Sequence, residues 1–186
     1  MVTDHNTILG GLEAKEINPG RVIIGEEIMT TEGELLAFFV KRNIPPYQDP
    51  METITQLRDQ GAFISVSHPF DRFRKGSWRL PVLLQILPYI DAIETFNARC
   101  LWPGFNHRAQ DFARKHHLLG TIGSDAHTTF ELGRATLLLP PFHDAESLKE
   151  SLKKAESARI SLSLPWVHLS SRYANWRKRR NRGDTK

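Results

Sequence analysis

The stretch Ala-Phe-Ile-Ser-Val-Ser-His-Pro at residues 62–69 begins with a short apolar run at 62–66, which has the composition of a buried strand, and a histidine follows it at position 68. Apolar runs of this length are typical of parallel strands that are covered on both faces. Five further runs share this character, at residues 21–24, 35–40, 92–96, 118–122 and 135–139. We therefore expect roughly six or seven buried strands in the chain.

Amphipathic segments alternate with these runs, and their ends carry helix signals. Asp49 precedes Pro50, which is the pairing of N-cap and first-turn residue that begins a helix, and Gly61 ends that helix. Asn6 is expected to cap a helix over residues 7–17. Further helices are predicted at residues 81–89, 104–117 and 145–157. This alternation of strands and helices predicts an α/β fold with parallel strands.

The strand count favours a small or incomplete (β/α) barrel. An open Rossmann-like sheet is the competing architecture, but the Gly-x-Gly-x-x-Gly loop that would support it does not occur in the sequence. The barrel domain is expected over residues 1–160, followed by an apolar and aromatic packing segment at 161–176. A basic tail is expected at residues 177–186.

Composition excludes several classes of protein. The 186 residues are 40% hydrophobic and 25% charged, which is an ordinary globular balance. The single cysteine, Cys100, excludes an internal disulfide framework and a multi-cysteine zinc site. No apolar run is long enough for a transmembrane helix, and the N-terminus has no secretory signal, so we expect a cytoplasmic protein without a membrane partner.

The net charge of +4 comes from the C-terminus. Seven basic residues and one acidic residue lie between Arg172 and Lys186, whereas acidic residues slightly outnumber basic ones before them. Two interpretations of this segment stay open. It is either a solvated terminus or, with Tyr173 and Trp176 upstream, a segment that binds nucleic acid.

Acidic and histidine side chains follow the predicted strands. The residues in these positions are Asp4, His5, Glu26, Glu27, His68, Glu94, Asn97, Asp125 and His127. In a parallel barrel all strand carboxyl ends open on one face, so these side chains are expected to meet there. Mixed oxygen and imidazole ligands suit zinc, manganese or iron, and several of each suit a hydrolytic site with two or three metal ions.

Each of these residues also has a structural interpretation. Asp4 and His5 can be a helix cap and a surface histidine, and Glu26 with Glu27 can be a solvated pair. His68 before Pro69 can mark a strand end. The structural interpretation weakens when the residues are taken together, because all of them lie at the same end of their strands.

At these residues the sequence resembles the PHP family, the polymerase and histidinol phosphatase superfamily of metal-dependent phosphoesterases. The resemblance covers about residues 2–140. Its motifs are Val-Thr-Asp-His-Asn-Thr at 2–7, Gly-Glu-Glu-Ile at 25–28, Gly-Glu-Leu-Leu-Ala-Phe-Phe at 33–39, Ser-His-Pro-Phe-Asp at 67–71, Ile-Glu-Thr-Phe-Asn-Ala-Arg at 93–99 and Gly-Ser-Asp-Ala-His at 123–127. The resemblance implies a distorted (β/α)7 TIM-like barrel with up to three divalent metal ions at the strand carboxyl ends.

The resemblance also implies roles for individual residues. The metal ligands would be His5, Glu27, Glu34, His68, Asn97, Asp125 and His127. Glu27 would be shared between metal ions, and Asp4 would orient His5 through its other ring nitrogen. Arg134 would bind a phosphate oxygen of the substrate or pair with an acid near the barrel mouth.

The sequence departs from the family pattern at its front. Family members begin with a strand that carries His-x-His, and no such pair precedes Val2 or occurs elsewhere in this sequence. We therefore expect the barrel to miss its first strand and to bind fewer metal ions. A missing strand leaves an open edge through which the protein could self-associate.

The implied function is hydrolysis of phosphomonoesters, or of nucleotide and nucleic-acid phosphoesters, by a metal-activated water. Asp125 would take part in catalysis, and His68 or His127 could donate a proton to the leaving group. The partner would be a small phosphorylated substrate or a nucleic-acid end. The alternative is an N-terminally truncated or catalytically dead PHP-like module that acts as a binding or scaffold protein.

Overall fold

A computed structural model describes residues 1–164 and Trp166 of the chain. The strands are β1 Val2–His5, β2 Ile24–Met29, β3 Glu34–Phe38, β4 Phe63–Val66, β5 Ala92–Asn97, β6 Leu119–Gly123, β7 Ala135–Leu138 and β8 Glu156–Ile160. The helices are α1 Leu9–Ile17, α2 Pro50–Asp59, α3 Leu80–Ile86, α4 Pro103–Lys115 and α5 Ala145–Leu152. Short 3-10 turns lie at Leu87–Tyr89 and Thr129–Glu131. The α/β class expected from the sequence is confirmed.

Strands β1 to β6 form one mixed sheet in chain order. The pairs β1–β2, β4–β5 and β5–β6 are parallel, whereas β3 is antiparallel to both of its neighbours. Five strands therefore end at one edge of the sheet, and the reversed strand β3 begins at that same edge. Strands β7 and β8 pair antiparallel in a separate two-stranded sheet.

The expectation that all strands run parallel is wrong at β3 and at β7, which pairs antiparallel with β8. A tight turn joins β2 to β3, in which the Thr30 amide donates to the Gly33 carbonyl at 2.9 Å and the Thr30 hydroxyl donates to the same carbonyl at 2.6 Å. A connection this short reverses the chain, because a parallel pairing needs a long crossover. No closed sheet forms among residues 1–164, so the barrel and its seven-strand count are not confirmed.

Two predicted helix boundaries are also wrong. Asn6 does not cap α1; its backbone is left-handed, with φ 55°, and its Oδ1 accepts from the Met29 amide at 2.8 Å. The last helix ends at Leu152, and residues 156–160 form β8, because pairing with β7 satisfies their backbone. The signal at Asp49 is confirmed, since its side chain accepts from the Met51 amide at 2.8 Å and α2 begins at Pro50.

The core lies on both faces of the six-stranded sheet. One cluster joins the sheet to helices α2, α3 and α4, and it includes Ile28, Leu35, Leu57, Ile64, Leu83 and Ile93. A second cluster joins the opposite face to α5, and it includes Phe38, Phe63, Leu148 and Leu152. Burial on both faces explains why the strands read as continuous apolar runs rather than alternating ones.

The C-terminal predictions are described only in part. Leu162 packs against a small cluster of Phe96, Ala98 and Ala135, and the Ser163 amide donates to the Ala98 carbonyl at 2.6 Å. Residues 165 and 167–176 of the expected packing segment and the basic tail at 177–186 lie outside the described residues. Within the described part, no helix combines the length and apolarity needed to cross a bilayer.

Candidate metal centre

The histidines and acids singled out in the sequence lie along one edge of the six-stranded sheet. His5 is the last residue of β1, Glu27 lies in the second half of β2, and His68 directly follows Ser67 beyond β4. Asn97 ends β5, and Asp125 and His127 lie just beyond β6. Glu34 joins them because it begins the reversed strand β3. The mixed sheet therefore gathers side chains from six strands without a closed barrel.

His5, Glu27 and Glu34 form the tightest cluster of candidate ligands. His5 Nδ1 lies 3.1 Å from Glu27 Oε2 and 3.6 Å from Glu34 Oε1. The three residues can each offer one ligand atom such that all lie within 4.8 Å of one another. His5, Glu27 and Glu34 are therefore the described residues best placed to hold one cation together.

His68 lies on the buried side of the same two carboxylates. Its Nε2 is 3.0 Å from Glu34 Oε2 and 3.5 Å from Glu27 Oε1, and its side chain is fully buried. Burial disfavours the charged imidazole, but hydrogen bonding to Glu27 and Glu34 outweighs burial and raises the pKa of His68 to about 10. Burial works against the ionised form of Glu27 as well, and the two histidines and Ser67 overcome it and lower the pKa of Glu27.

A second acidic cluster adjoins the first through Glu94. The buried Glu94 carboxylate accepts from the His68 amide at 2.8 Å and from Asn97 Nδ2 at 3.1 Å. Asn97 Nδ2 also lies 3.1 Å from Asp125 Oδ2. Burial raises the pKa of Glu94 to about 7. The sequence placed Glu94 at a strand end but did not include it among the ligands, and a buried carboxylate in this position is a further oxygen donor.

His127 lies across the site from His5, with the two ring centroids 5.7 Å apart. Its Nδ1 is 3.0 Å from the Asp125 carbonyl and 3.4 Å from Asp125 Oδ1. Glu131 fixes the backbone here by accepting from the His127 amide at 3.0 Å, and Arg99 Nε lies 3.0 Å from the other oxygen of Glu131. Neither Glu131 nor Arg99 was singled out in the sequence, because their role depends on a contact between distant segments.

Asp125 also forms an ion pair with Arg74, whose side chain is 19% exposed. Arg74 follows His68 by six residues, in the loop after β4. Burial disfavours the charged guanidinium, but the neighbouring carboxylate of Asp125 more than compensates and raises the pKa of Arg74. A permanent cation therefore touches one of the candidate metal ligands.

A cavity of about 810 Å³ opens onto these groups. Its polar wall is formed by His5, Glu27, Ser67, Glu94, Asn97, Asp125 and His127. Its apolar wall is formed by Leu36, Phe38, Ile122, Leu137, Leu148 and Leu152. A cavity of this size accommodates a small organic substrate beside the carboxylates.

Two predicted site residues lack the contacts that their predicted roles require. The Asp4 carboxylate packs against Gly10, and within the described part of the chain no hydrogen bond joins it to His5. The Arg134 side chain does not line the cavity and forms no ion pair with any of residues 1–164. Their predicted roles, orienting His5 and binding phosphate, stay predictions.

The donor set fits a divalent cation. Buried carboxylates of Glu27, Glu34 and Glu94 converge here, and His68 Nδ1 is buried without a hydrogen-bond partner among the described residues. Buried acids that face one another without a cation repel, and oxygen and imidazole donors together suit zinc, manganese or iron. His5, Glu27, Glu34 and His68 are the residues that would hold such an ion.

Comparison with known proteins gives one family match and two curated relatives. Residues 103–157 match the family model PHP_C, described as PHP-associated. The chain is 38% identical over 116 residues to the uncharacterized protein MJ0417 of Methanocaldococcus jannaschii, covering 61% of this chain and 49% of that protein. It is 39% identical over 100 residues to MJ1587 of the same organism, covering 52% and 56%. The chain thus spans about half the length of the curated relatives it matches.

Solved structures share the fold at low sequence identity. A two-domain protein of Bacteroides vulgatus that contains a predicted PHP-like metal-dependent phosphoesterase superposes with a TM-score of 0.62 at 17% identity, over 86% of this chain and 55% of that one. A candidate metal-dependent phosphoesterase of Bifidobacterium adolescentis superposes with a TM-score of 0.58 at 16% identity, over 87% and 85%. PsfC of Pseudomonas syringae has a TM-score of 0.57 at 20% identity, over 80% and 64%. At these identities the likeness concerns the fold.

Proposed function

We propose that the chain belongs to the PHP superfamily and is a metal-dependent phosphoesterase that acts on phosphomonoesters or on nucleotide and nucleic-acid ends. The observation that supports this proposal is the placement of the Glu27 carboxylate between two histidines. One oxygen of Glu27 faces His5 Nδ1 at 3.1 Å, and the other faces His68 Nε2 at 3.5 Å. With an imidazole facing each of its oxygens, Glu27 would hold divalent cations together with His5 and His68.

A divalent cation bound there supplies Lewis acidity toward phosphoryl oxygens and water. The chain's own residues orient that centre. The Ser67 hydroxyl donates to Glu27 Oε1 at 2.7 Å and fixes the rotation of the carboxylate. The His68 amide fixes Glu94 in the same way at 2.8 Å. Asn97 holds the Asp125 carboxylate in place from the neighbouring strand.

His127 is better suited than His68 to donate a proton to the leaving group. The His127 side chain is 32% exposed and lines the cavity, whereas the His68 side chain is 0% exposed and lies between two carboxylates. A general acid must come within hydrogen-bond reach of the leaving oxygen. We therefore assign proton donation to His127 and metal binding to His68.

The test is elemental analysis of the chain purified without a metal-affinity tag, together with hydrolysis assays on simple phosphomonoesters in Mn²⁺ and Zn²⁺. We expect bound transition metal in the wild type and its loss in Glu27→Gln. Glu16→Gln is the matched control, because Glu16 is an exposed acid on α1. Bound metal without hydrolysis of any phosphoester would instead favour a non-catalytic binding module, and a folded protein without metal would contradict the proposal.

A further inference from the structure

The loop after β4 is held rigidly against the candidate metal centre. The Asp71 amide donates to the His68 carbonyl at 3.1 Å, and the Arg74 amide donates to the Asp71 carbonyl at 3.0 Å. At the far end of the loop, Trp78 Nε1 donates to the Glu34 carbonyl at 3.0 Å. The backbone of residues 72–75 is therefore tied to both His68 and Glu34.

Arg74 points inward from this loop. Its guanidinium forms the ion pair with Asp125, and its Nε lies 3.7 Å from Asp71 Oδ2. A guanidinium has five donors in a planar fork, so these two carboxylates leave donors for a further anion. The fork matches two oxygens of a phosphoryl group, and a cation that binds Asp125 would free more of it.

Phe73, the adjacent residue, points outward. Its side chain is 71% exposed and meets Phe105 edge to face, with ring centroids 5.6 Å apart at 70°. Phe105 precedes Asn106, whose side chain accepts from the Asn97 amide at 3.0 Å and donates to the Asn97 carbonyl at 3.1 Å. Phe73 thus adjoins Arg74, which pairs with Asp125, and Phe105 adjoins Asn106, which is hydrogen-bonded to Asn97.

Exposed apolar side chains are common singly and need no explanation. This pair differs because one ring comes from the loop after β4 and the other from the first turn of α4, and because Phe73 adjoins Arg74, a cation that touches the site. Arg72 and Lys75 on either side of the pair are also exposed, so an anion that approaches the rings is attracted. An open aromatic face next to positive charge is the arrangement that binds planar rings attached to phosphate.

We propose that residues 72–75 and Phe105 select the substrate: Arg74 binds its phosphoryl oxygens, and the Phe73–Phe105 pair stacks on a planar aromatic group of the ester. The inference rests on the proposed phosphoesterase function and gives it a substrate class. That class is a phosphoester with an aryl or nucleobase ring. An ester with an aliphatic group would use Arg74 alone.

The test is calorimetric binding of two phosphonates to the Mn²⁺-loaded protein, because phosphonates are not hydrolysed. The two probes are phenylphosphonate and methylphosphonate, which differ only in the group on phosphorus, a phenyl ring or a methyl group. We expect Phe73→Ala to weaken phenylphosphonate binding about tenfold and to leave methylphosphonate binding within about twofold. Tyr89→Ala is the control for loss of an exposed ring, since Tyr89 lies at the opposite edge of the sheet before β5. The stacking role is overturned if Phe73→Ala weakens the binding of both phosphonates equally, or if it changes neither affinity.

Arg74→Gln is expected to weaken both phosphonates about tenfold while the metal content stays unchanged, and Arg74→Lys to restore part of that affinity. Unchanged affinity in Arg74→Gln, or a loss matched by loss of metal, overturns the phosphoryl role. Turnover of adenosine 5′-monophosphate against phenyl phosphate then distinguishes a nucleobase from a simple aryl ring.

These results separate the inference from the proposed function. A wild type that binds phenylphosphonate through Phe73 but hydrolyses neither ester contradicts the phosphoesterase proposal alone. A wild type that hydrolyses both esters, with Phe73→Ala unaltered in affinity, contradicts the recognition proposal alone.

Discussion

The Glu34 carboxylate lies 3.0 Å from His68 Nε2, although the two residues belong to strands that run in opposite directions. Glu34 begins β3, and His68 follows the end of the adjacent strand β4. Reversal of β3 therefore carries an acidic side chain to the edge where the other strands end. Without that reversal Glu34 would lie at the far edge of the sheet.

Gly76 protects this contact, and replacing it should disturb the candidate metal centre. The Glu34 amide donates to the Gly76 carbonyl at 3.1 Å, and a Cβ at residue 76 would overlap the Glu34 carboxylate. We expect Gly76→Ala to displace the carboxylate and to weaken Mn²⁺ binding about tenfold, with about 1–3 kcal/mol lost in unfolding free energy from overpacking. Gly20→Ala is the control, because nothing lies within 4 Å of a Cβ there. Equal Mn²⁺ affinity in the two variants, measured by calorimetry, would contradict this prediction.

Metal binding should release a proton from His68. In the metal-free protein the pKa of His68 is raised to about 10, so the imidazole is protonated at neutral pH and must lose its proton before it can bind a cation. Mn²⁺ affinity should therefore rise by up to about tenfold per pH unit between about pH 6.5 and 8.5. Calorimetry in buffers of different ionisation enthalpy measures the proton released.

Glu34→Gln provides the comparison for the proton release. It removes one of the two carboxylates that stabilise the His68 imidazolium, so the pH dependence of Mn²⁺ affinity should become shallower. The same raised pKa stabilises the metal-free fold below about pH 6.5, and that contribution is lost as the pH rises toward 10. A Mn²⁺ affinity that does not change with pH would show that His68 is neutral in the free protein.

Glu26 should make the fold less stable at alkaline pH. Its side chain is fully buried on β2, one oxygen accepts from the Ile44 amide at 3.1 Å, and the other has no partner among the described residues. Burial raises the pKa of Glu26 from 4.5 to about 7. The folded state therefore holds a proton that the unfolded state releases, and stability falls as the pH rises from 4.5 and levels off above about 7.

We expect Glu26→Gln to remove this loss, because glutamine cannot ionise. The variant should exceed the wild type in unfolding free energy by up to roughly 3 kcal/mol at about pH 8 and should match it near pH 4.5. Urea unfolding at the two pH values measures the difference. A gap between variant and wild type that is the same at both pH values would contradict the assignment to Glu26.

Glu131 should be essential for the loop that carries His127. Its carboxylate accepts from the His127 amide and from the Thr128 hydroxyl, both at 3.0 Å, and its other oxygen pairs with the buried Arg99. Removing one member of a buried ion pair costs about 3–5 kcal/mol, so Glu131→Ala should lower the unfolding free energy by that amount. Glu146→Ala on the exposed face of α5 breaks only a surface pair with Lys149 and should cost less than about 1 kcal/mol. Similar urea midpoints for the two variants would contradict this prediction.

Much of the fold could be predicted from local sequence. The apolar runs at 62–66, 92–96 and 118–122 identified β4, β5 and β6, because strands buried on both faces need continuous apolar residues. The pair Asp49 and Pro50 identified the start of α2, because the capping hydrogen bond joins residues only two positions apart, from the Met51 amide to the Asp49 side chain. The same local view failed at the end of the helix predicted over residues 145–157, because α5 ends at Leu152 and residues 156 and 157 pair with β7 as part of β8.

The sequence by itself determined which side-chain types, histidines, carboxylates and an amide, lie at the ends of the strands. The residues at those ends include His5, His68, Asn97, Asp125 and His127. Their positions could be predicted because the point where a buried strand ends along the chain is visible in the local sequence. Only the tertiary structure decided which of them meet and what else joins them. The short turn at residues 30–33 reverses β3 and places Glu34, which the family resemblance had implied as a ligand, beside His68. Long-range contacts bring Glu94 and Glu131 to the backbone amides of His68 and His127, and Arg74 to Asp125. Ion pairs and pKa values depend on distances between segments far apart in the chain, which local patterns do not encode.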